Sequence, residues 1–239
     1  MGRPLRVTLG GYVYHVLNRA NGSTRMFRKD ADYEAFEHIL SEALDHVRGM
    51  RLLAYCLMPN HWHLLLWPRT DGALSDFAHW LALTHTQRWH AHYHNVGVGH
   101  LYQGRFKSFV VEADEHYWTA CRYVERNPLR AGLVKRAQDW RWGSLWRRLH
   151  DKEGLPELLQ PGPLALPQNW VHHVNQVQTA GELAALRKSV QRGQPYGQES
   201  WVRKVATRLG LESTLRPRGR PRKSPQEHER QSSDRTNGS

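Results

Sequence analysis

Cysteine is almost missing from the chain: Cys56 and Cys121 are the two among 239 residues. Two thiols cannot build the staple framework of a small secreted domain. Each stands in an apolar stretch, which reads as a reduced core thiol. Acidic residues are scarce too. Asp and Glu number 22 against 34 Lys and Arg, leaving a formal net charge of +12. An excess of that sign points to a polyanionic partner, either nucleic acid or an acidic membrane face. No stretch approaches the roughly 18 to 20 apolar residues needed to span a bilayer. The opening Met1-Gly2-Arg3-Pro4-Leu5-Arg6 has no signal-peptide core, and Arg6 stands where a myristoylation motif needs Ser or Thr. These absences predict a cytoplasmic protein.

What is present is aromatic surface. Ten Trp and nine Tyr supply large packing faces to a chain that is only 39% hydrophobic. A collagen-like fibre, a disulfide mini-protein and a wholly disordered chain are excluded. Residues 12–19 are β-rich and read as a strand. Asp30 offers a capping carboxylate to a helix with Tyr33, Phe36, Ile39, Leu40, Ala43 and Leu44 at helical spacing, and Gly49 ends it. Residues 50–58 and 61–67 are strands about a Pro59-Asn60 turn. Residues 74–94 read as a long helix and 101–112 as a strand. Asp114 caps a helix that Pro128 closes. The order β-α-β-β-α-β-α predicts an α+β fold, a ferredoxin-like antiparallel sheet with helices on one face.

After residue 150 the texture changes. Pro156, Pro161, Pro163 and Pro167 predict a linker over 151–178. Thr179 and Glu182 form a capping box, so 179–212 reads as a small helical extension. Residues 213–239 are rich in Pro, Gly, Ser and Arg and read as a disordered basic tail. Its seven Lys and Arg against three Asp and Glu hold +4 of the +12. The folded unit expected is therefore 1–150.

Chemistry concentrates in two places. His61 and His63 flank Trp62 on a predicted strand, where alternation sends both imidazoles to one face. Two histidines so placed can offer nitrogen lone pairs to one metal ion, with further positions left for other ligands. A chance pair, easily come by in a chain with 16 His, is the plainer alternative. Tyr123 and Asn127 lie four apart and share a helix face. A phenol there can attack a phosphodiester and an amide oxygen one turn on can serve as a ligand; a packed Tyr and a capping Asn are the plain alternative. Gln103, Arg105 and Lys107 interleave basic and aromatic residues, a pattern suited to phosphates and stacked bases.

Four ordered motifs together resemble the single-tyrosine HUH-type transposases, most closely the repetitive-extragenic-palindrome (REP) associated tyrosine transposases. They are Tyr14-His15-Val16 with Asn18-Arg19, Met58 through Leu64, Gly99 through Ser108, and Tyr123 through Gly132. Trp140-Arg141-Trp142-Gly143-Ser144 also fits, with Gly143 where the family often has Ser. The resemblance implies an HUH endonuclease-like domain that cuts single-stranded DNA at a hairpin and rejoins it through a 5′-phosphotyrosine. It puts the nucleophile on Tyr123 and a divalent metal, Mg²⁺ or Mn²⁺, on His61, His63 and Asn127. It adds His15 and Arg19 to the DNA contacts, and leaves monomer and homodimer both open. A catalytically inactive DNA-binding protein of the same fold is the rival reading, since it needs the basic surface but no convergent site.

The tail carries a separate signal. Arg218, Gly219 and Arg220, followed by Arg222 and Lys223, resemble an AT-hook, in which an extended Arg-Gly-Arg lies in a narrow minor groove. This adds A/T-rich duplex as a second expected contact and nucleoid association as the expected location. No membrane partner is expected.

Overall fold

A computed structural model describes residues 8–150 and 157–216. Four strands form one antiparallel sheet: β1 (Val13–Arg19), β2 (Met50–Met58), β3 (His61–Pro68) and β4 (Lys107–Val111), in the order β2-β3-β1-β4. Helices α1 (Asp30–His46) and α2 (Ala73–His92) join them, and α3 (Glu115–Glu125) follows β4. The expected α+β arrangement is present. Where the sequence suggests a strand over 101–112, pairing starts only at Lys107. Before it the chain makes a single bridge, Tyr102 to Ala20, and loops through Gly104. The α1 cap also differs from expectation. Asp32, not Asp30, accepts from Arg28 N (2.7 Å) and Lys29 N (3.1 Å). At the far end Gly49, at φ +82°, makes the left-handed turn into β2.

The helices expected on one face are α1 and α2. They pack Phe36, Ile39, Leu74, Phe77 and Leu81 against Trp62, Leu64 and Leu66. The opposite face is covered as well, because β3 is apolar on both sides (Leu64-Leu65-Leu66). Ala54, Cys56, Leu65 and Phe109 meet Ala120, Cys121 and Val124 of α3 there. Both cysteines are buried free thiols.

Beyond α3 the chain supplies α4 (Asn127–Arg130), α5 (Ser144–Leu149), α6 (Trp170–Asn175), α7 (Ala180–Arg192) and α8 (Glu199–Arg208). Helix α3 ends at Glu125, ahead of Pro128 as expected, and Pro128 opens a further short helix. It sits in the first turn of α4, where its missing N–H costs least. An exposed sheet edge is a liability, and here both edges are covered. Along β2, Leu57 N donates to Trp142 O (2.9 Å), Tyr55 N to Ser144 Oγ (3.1 Å) and Leu52 N to Gln160 Oε1 (3.1 Å). The aromatic motif around Trp142 thus caps an edge. Along β4, Tyr196 N donates to Val110 O and Glu112 N to Tyr196 O (2.8 and 2.9 Å). Residues 157–178, part of the stretch read as a linker, pair with the sheet at Leu159 and bury Trp170, whose indole donates to Glu125 Oε2 (2.6 Å).

A buried ion pair ties α5 to α1. Arg147 Nη2 lies 3.0 Å from Glu37 Oε2, and Tyr55 OH donates to Glu37 Oε1 (2.5 Å). Arg147 and Glu37 are 2% and 4% exposed. Removing Arg147 leaves the buried Glu37 carboxylate with Tyr55 and the more distant Arg141 (3.6 Å), and breaking a buried pair costs about 3–5 kcal/mol. Arg147→Ala should lower the urea unfolding free energy by about that amount; a loss under about 1 kcal/mol would mean that the pair is idle.

Candidate active site

The site is assembled by strand register. Leu17 of β1 stands opposite His63 and Arg19 opposite His61, so His15, Leu17 and Arg19 share a face with both β3 histidines. That is the face α3 covers. Tyr123, 7% exposed, brings its ring to 5.9 Å from that of His63 and 6.0 Å from that of His15, centroid to centroid. The His61 and His63 rings are 5.0 Å apart. The two histidines and the tyrosine singled out from sequence therefore do converge. Asn127, 6% exposed, joins them through Arg130. That guanidinium lies 4.2 Å over the Tyr123 ring and donates to Asn127 Oδ1 (2.8 Å).

His15 corrects an expectation. Expected to touch DNA, it is 1% exposed, beneath the site, with Phe109 stacked on it at 4.7 Å. Its Nε2 lies 2.9 Å from His63 Nδ1. Its polar contact is with the neighbouring imidazole, so it backs His63 from behind instead of facing a DNA strand. His61 Nδ1 has a comparable partner, donating to Asn60 Oδ1 (2.7 Å). With each Nδ1 occupied by a supporting group, the lone pair of each neutral ring resides on Nε2 once His63 donates to His15.

The electrostatics keep these rings neutral. Burial lowers the pKa of His15 to about 3 and of His61 to about 4, and pushes that of His63 well down, with Arg130 adding in each case. Burial also lowers His85, between α1 and α2, to about 3. Each pKa lies below the ordinary 6.5, so the unfolded chain binds more protons between the two values. Stability from these groups is complete above about pH 6.5 and is lost as pH falls toward 4, by up to about 1.4 kcal/mol per unit per histidine. The melting temperature in EDTA should fall steeply from pH 6.5 to pH 4.5. His85→Gln, remote from the pair, should make that acid limb shallower; an unchanged slope would contradict this account.

Four of the expected DNA contacts form one group. Arg19, Gln103, Arg105 and Lys107 line a cavity of about 510 Å³ together with Asn18 and Gln191 of α7. The AT-hook-like residues 218–223 lie outside the described residues. One cluster escaped the sequence reading. Glu112, Asp114 and His116 bring ligand-type atoms within 4.8 Å of one another at the start of α3. Their atoms have other employment: Asp114 Oδ1 caps His116 N (2.9 Å) and Glu112 Oε2 accepts from Gln198 N (2.7 Å). Among the described residues no helix is long and apolar enough to cross a membrane.

The four-stranded antiparallel sheet thus carries a phenol set against paired imidazoles. Residues 8–127 match the model of the family described as "Transposase IS200 like". The chain belongs to the IS200-like transposase family. Among solved structures it is similar to a REP-associated tyrosine transposase bound to a REP hairpin, at 17% identity and a TM-score of 0.51, over 75% of this chain and 100% of that one. It is also similar to a putative transposase from Deinococcus radiodurans at 18% identity and a TM-score of 0.36, over 56% of this chain and 94% of that one. The first likeness shows the fold; the second is too distant to add to it. A comparison with curated proteins gives no match.

Proposed function

We propose that this protein cleaves and rejoins single-stranded DNA at a hairpin, with Tyr123 as the nucleophile. One observation carries the reading: the Tyr123 ring stands about 6 Å from both His63 and His15, on a helix whose next turn brings Asn127. The phenolic oxygen would attack phosphorus, forming a 5′-phosphotyrosine as the bond to the 3′ oxygen breaks. The phenol gives up its proton, and the departing oxygen takes one up as a 3′-OH. The reverse attack by a 3′-OH restores both the strand and the phenol. The ester retains the phosphodiester's energy, so rejoining needs no nucleotide cofactor.

The donor set suits a divalent ion. His61 and His63 are neutral, each with its Nδ1 engaged, and Asn127 Oδ1 retains a second lone pair beside the one facing Arg130. These are the residues that would hold it. Two imidazoles fit Mn²⁺ better than Mg²⁺, which favours oxygen. When bound, such an ion supplies charge neutralisation and orientation at the scissile phosphate. Arg130, against the phenol ring, adds a fixed positive charge where negative charge develops. The cavity around Arg19, Arg105 and Lys107 suits the strand's phosphates, and Asn18, Gln103 and Gln191 offer amide groups to base edges. The hairpin carried by the REP-associated transposase of similar fold supports the choice of substrate. A library of single-stranded hairpins with Mn²⁺ or Mg²⁺, scored for covalent adducts on denaturing gels, tests the reading. Absence of adducts across the library would leave a DNA-binding protein.

A further inference from the structure

Arg122, Arg126 and Arg130 follow one another at four-residue spacing along α3 and α4, and together they reach the end of α6 and the stretch that follows it. Arg122 Nη2 donates to Gln176 O (2.8 Å) and Val177 O (3.0 Å). Arg126 Nη1 donates to Val174 O (2.9 Å) and to Asn175 O. These two are held by carbonyls, as structural arginines often are. Arg130 is placed differently. Besides Asn127 Oδ1 and the Tyr123 ring, it meets the side chain of Gln178, with Nη1 3.4 Å from Oε1.

The two amides that flank Arg130 share an unusual property. Asn127 is 6% exposed and Gln178 is 4% exposed. The nitrogen of each, Asn127 Nδ2 and Gln178 Nε2, is buried without an acceptor among the described residues. Arg122 Nε, on α3, is a third such donor. An unpaired buried donor costs about 1–3 kcal/mol, so these groups call for an acceptor. The surroundings say what kind. Arg187 of α7 lies close enough to Arg130 to add repulsion. Glu182 is spent on Arg122, 3.7 Å away. Surplus donors and surplus positive charge fit an oxyanion.

We propose that Arg130, the Gln178 amide and the Asn127 amide nitrogen form a pocket for a non-bridging oxygen of a DNA backbone phosphate beside Tyr123. The inference rests on the proposed reading of this site and extends it: Arg130 and Gln178 lie beyond residues 8–127, and Gln178 comes from the C-terminal part of the chain. The two uses of Asn127 are compatible, since its oxygen serves a cation while its nitrogen serves the phosphate. The chain beyond α6 thus completes the active site as well as the sheet.

The test is a set of paired substitutions, read as binding in EDTA with the full chain. Single-stranded hairpins carry a neutral methylphosphonate at each linkage in turn, and fluorescence anisotropy gives Kd for wild type and Gln178→Leu. At one linkage wild type should weaken about tenfold. Gln178→Leu should weaken about tenfold on unmodified DNA and less than about twofold further at that linkage. Losses that multiply at every linkage would overturn the pocket. Gln178→Glu keeps the shape and adds a repelling charge, so it should bind at least as poorly as the Leu variant; wild-type affinity there would overturn the pocket too. Melting temperatures near wild type show that both variants fold. If inorganic phosphate stabilises wild type but not Gln178→Leu while no linkage is sensitive, the pocket takes free anions and the DNA assignment falls. Because this assay needs no cleavage, a wild type that forms no adduct sinks the nuclease reading alone. Where adducts do form, the sensitive linkage should lie at the cut or next to it; a more distant linkage counts against the pocket.

Discussion

Tyr123→Phe should yield no covalent protein–DNA adduct on a denaturing gel, a loss of at least about 10³-fold, while hairpin Kd stays within about twofold of wild type. The substitution removes one oxygen and leaves the ring where it is. That ring packs against His15, His63 and the Arg130 guanidinium, contacts that phenylalanine also makes. Stability should therefore change by less than about 1 kcal/mol, so a lost adduct cannot be ascribed to unfolding. Three other buried tyrosines near the sheet have their hydroxyls engaged elsewhere. Tyr14 OH donates to Leu9 O, Tyr102 OH meets Trp62 Nε1 and His85 Nδ1, and Tyr55 OH donates to Glu37. Tyr117, six residues earlier on α3, is 1% exposed, and burial drives its phenol strongly upward in pKa. An adduct that persists in Tyr123→Phe would require another tyrosine to replace it. The whole catalytic reading would then fail.

Why Tyr123 could be paired with Asn127 in advance, and Arg130 with Gln178 could not, is a matter of distance along the chain. The pairing of His61 with His63 rests on strand alternation, and that of Tyr123 with Asn127 on helical periodicity. Both are local rules that survive in the folded protein. The α+β order was legible for the same reason. His15 was visible only as a member of a motif, because its place behind His63 depends on β1–β3 register, which no local pattern specifies. Gln178 lies 48 residues from Arg130 in a proline-containing stretch that reads as a linker by composition. That composition also serves a chain laid along a sheet edge, where prolines limit the entropy lost and glutamine side chains supply edge hydrogen bonds, as Gln160 does for Leu52. The sequence over 101–106 misled in the opposite direction. Its aromatics look like strand residues, yet Leu101, Tyr102 and Phe106 bury their side chains from a loop.

Replacing the paired histidines should separate metal chemistry from folding, because the two rings are built in differently. His61 is only partly buried and its supporting partner, Asn60, is the adjacent residue. His61→Ala should keep the wild-type fold and hairpin affinity in EDTA while losing about 10²–10³-fold in Mn²⁺-stimulated cleavage. His63 is 3% exposed and forms a buried hydrogen bond with His15. His63→Ala should lose as much cleavage and also strand the His15 imidazole, costing about 1–3 kcal/mol of stability. Mn²⁺ titration followed by electron paramagnetic resonance should show weakened binding in both variants, and urea unfolding should show the extra penalty in His63→Ala alone. If both variants bind and respond to Mn²⁺ within about twofold of wild type, the imidazole pair holds no ion, and the cluster is a packing feature beneath a tyrosine. If only His63→Ala fails, and fails in proportion to its instability, the same conclusion follows. Only parallel losses in metal binding and cleavage, with unequal losses in stability, fit two ligands of which one is also part of the core.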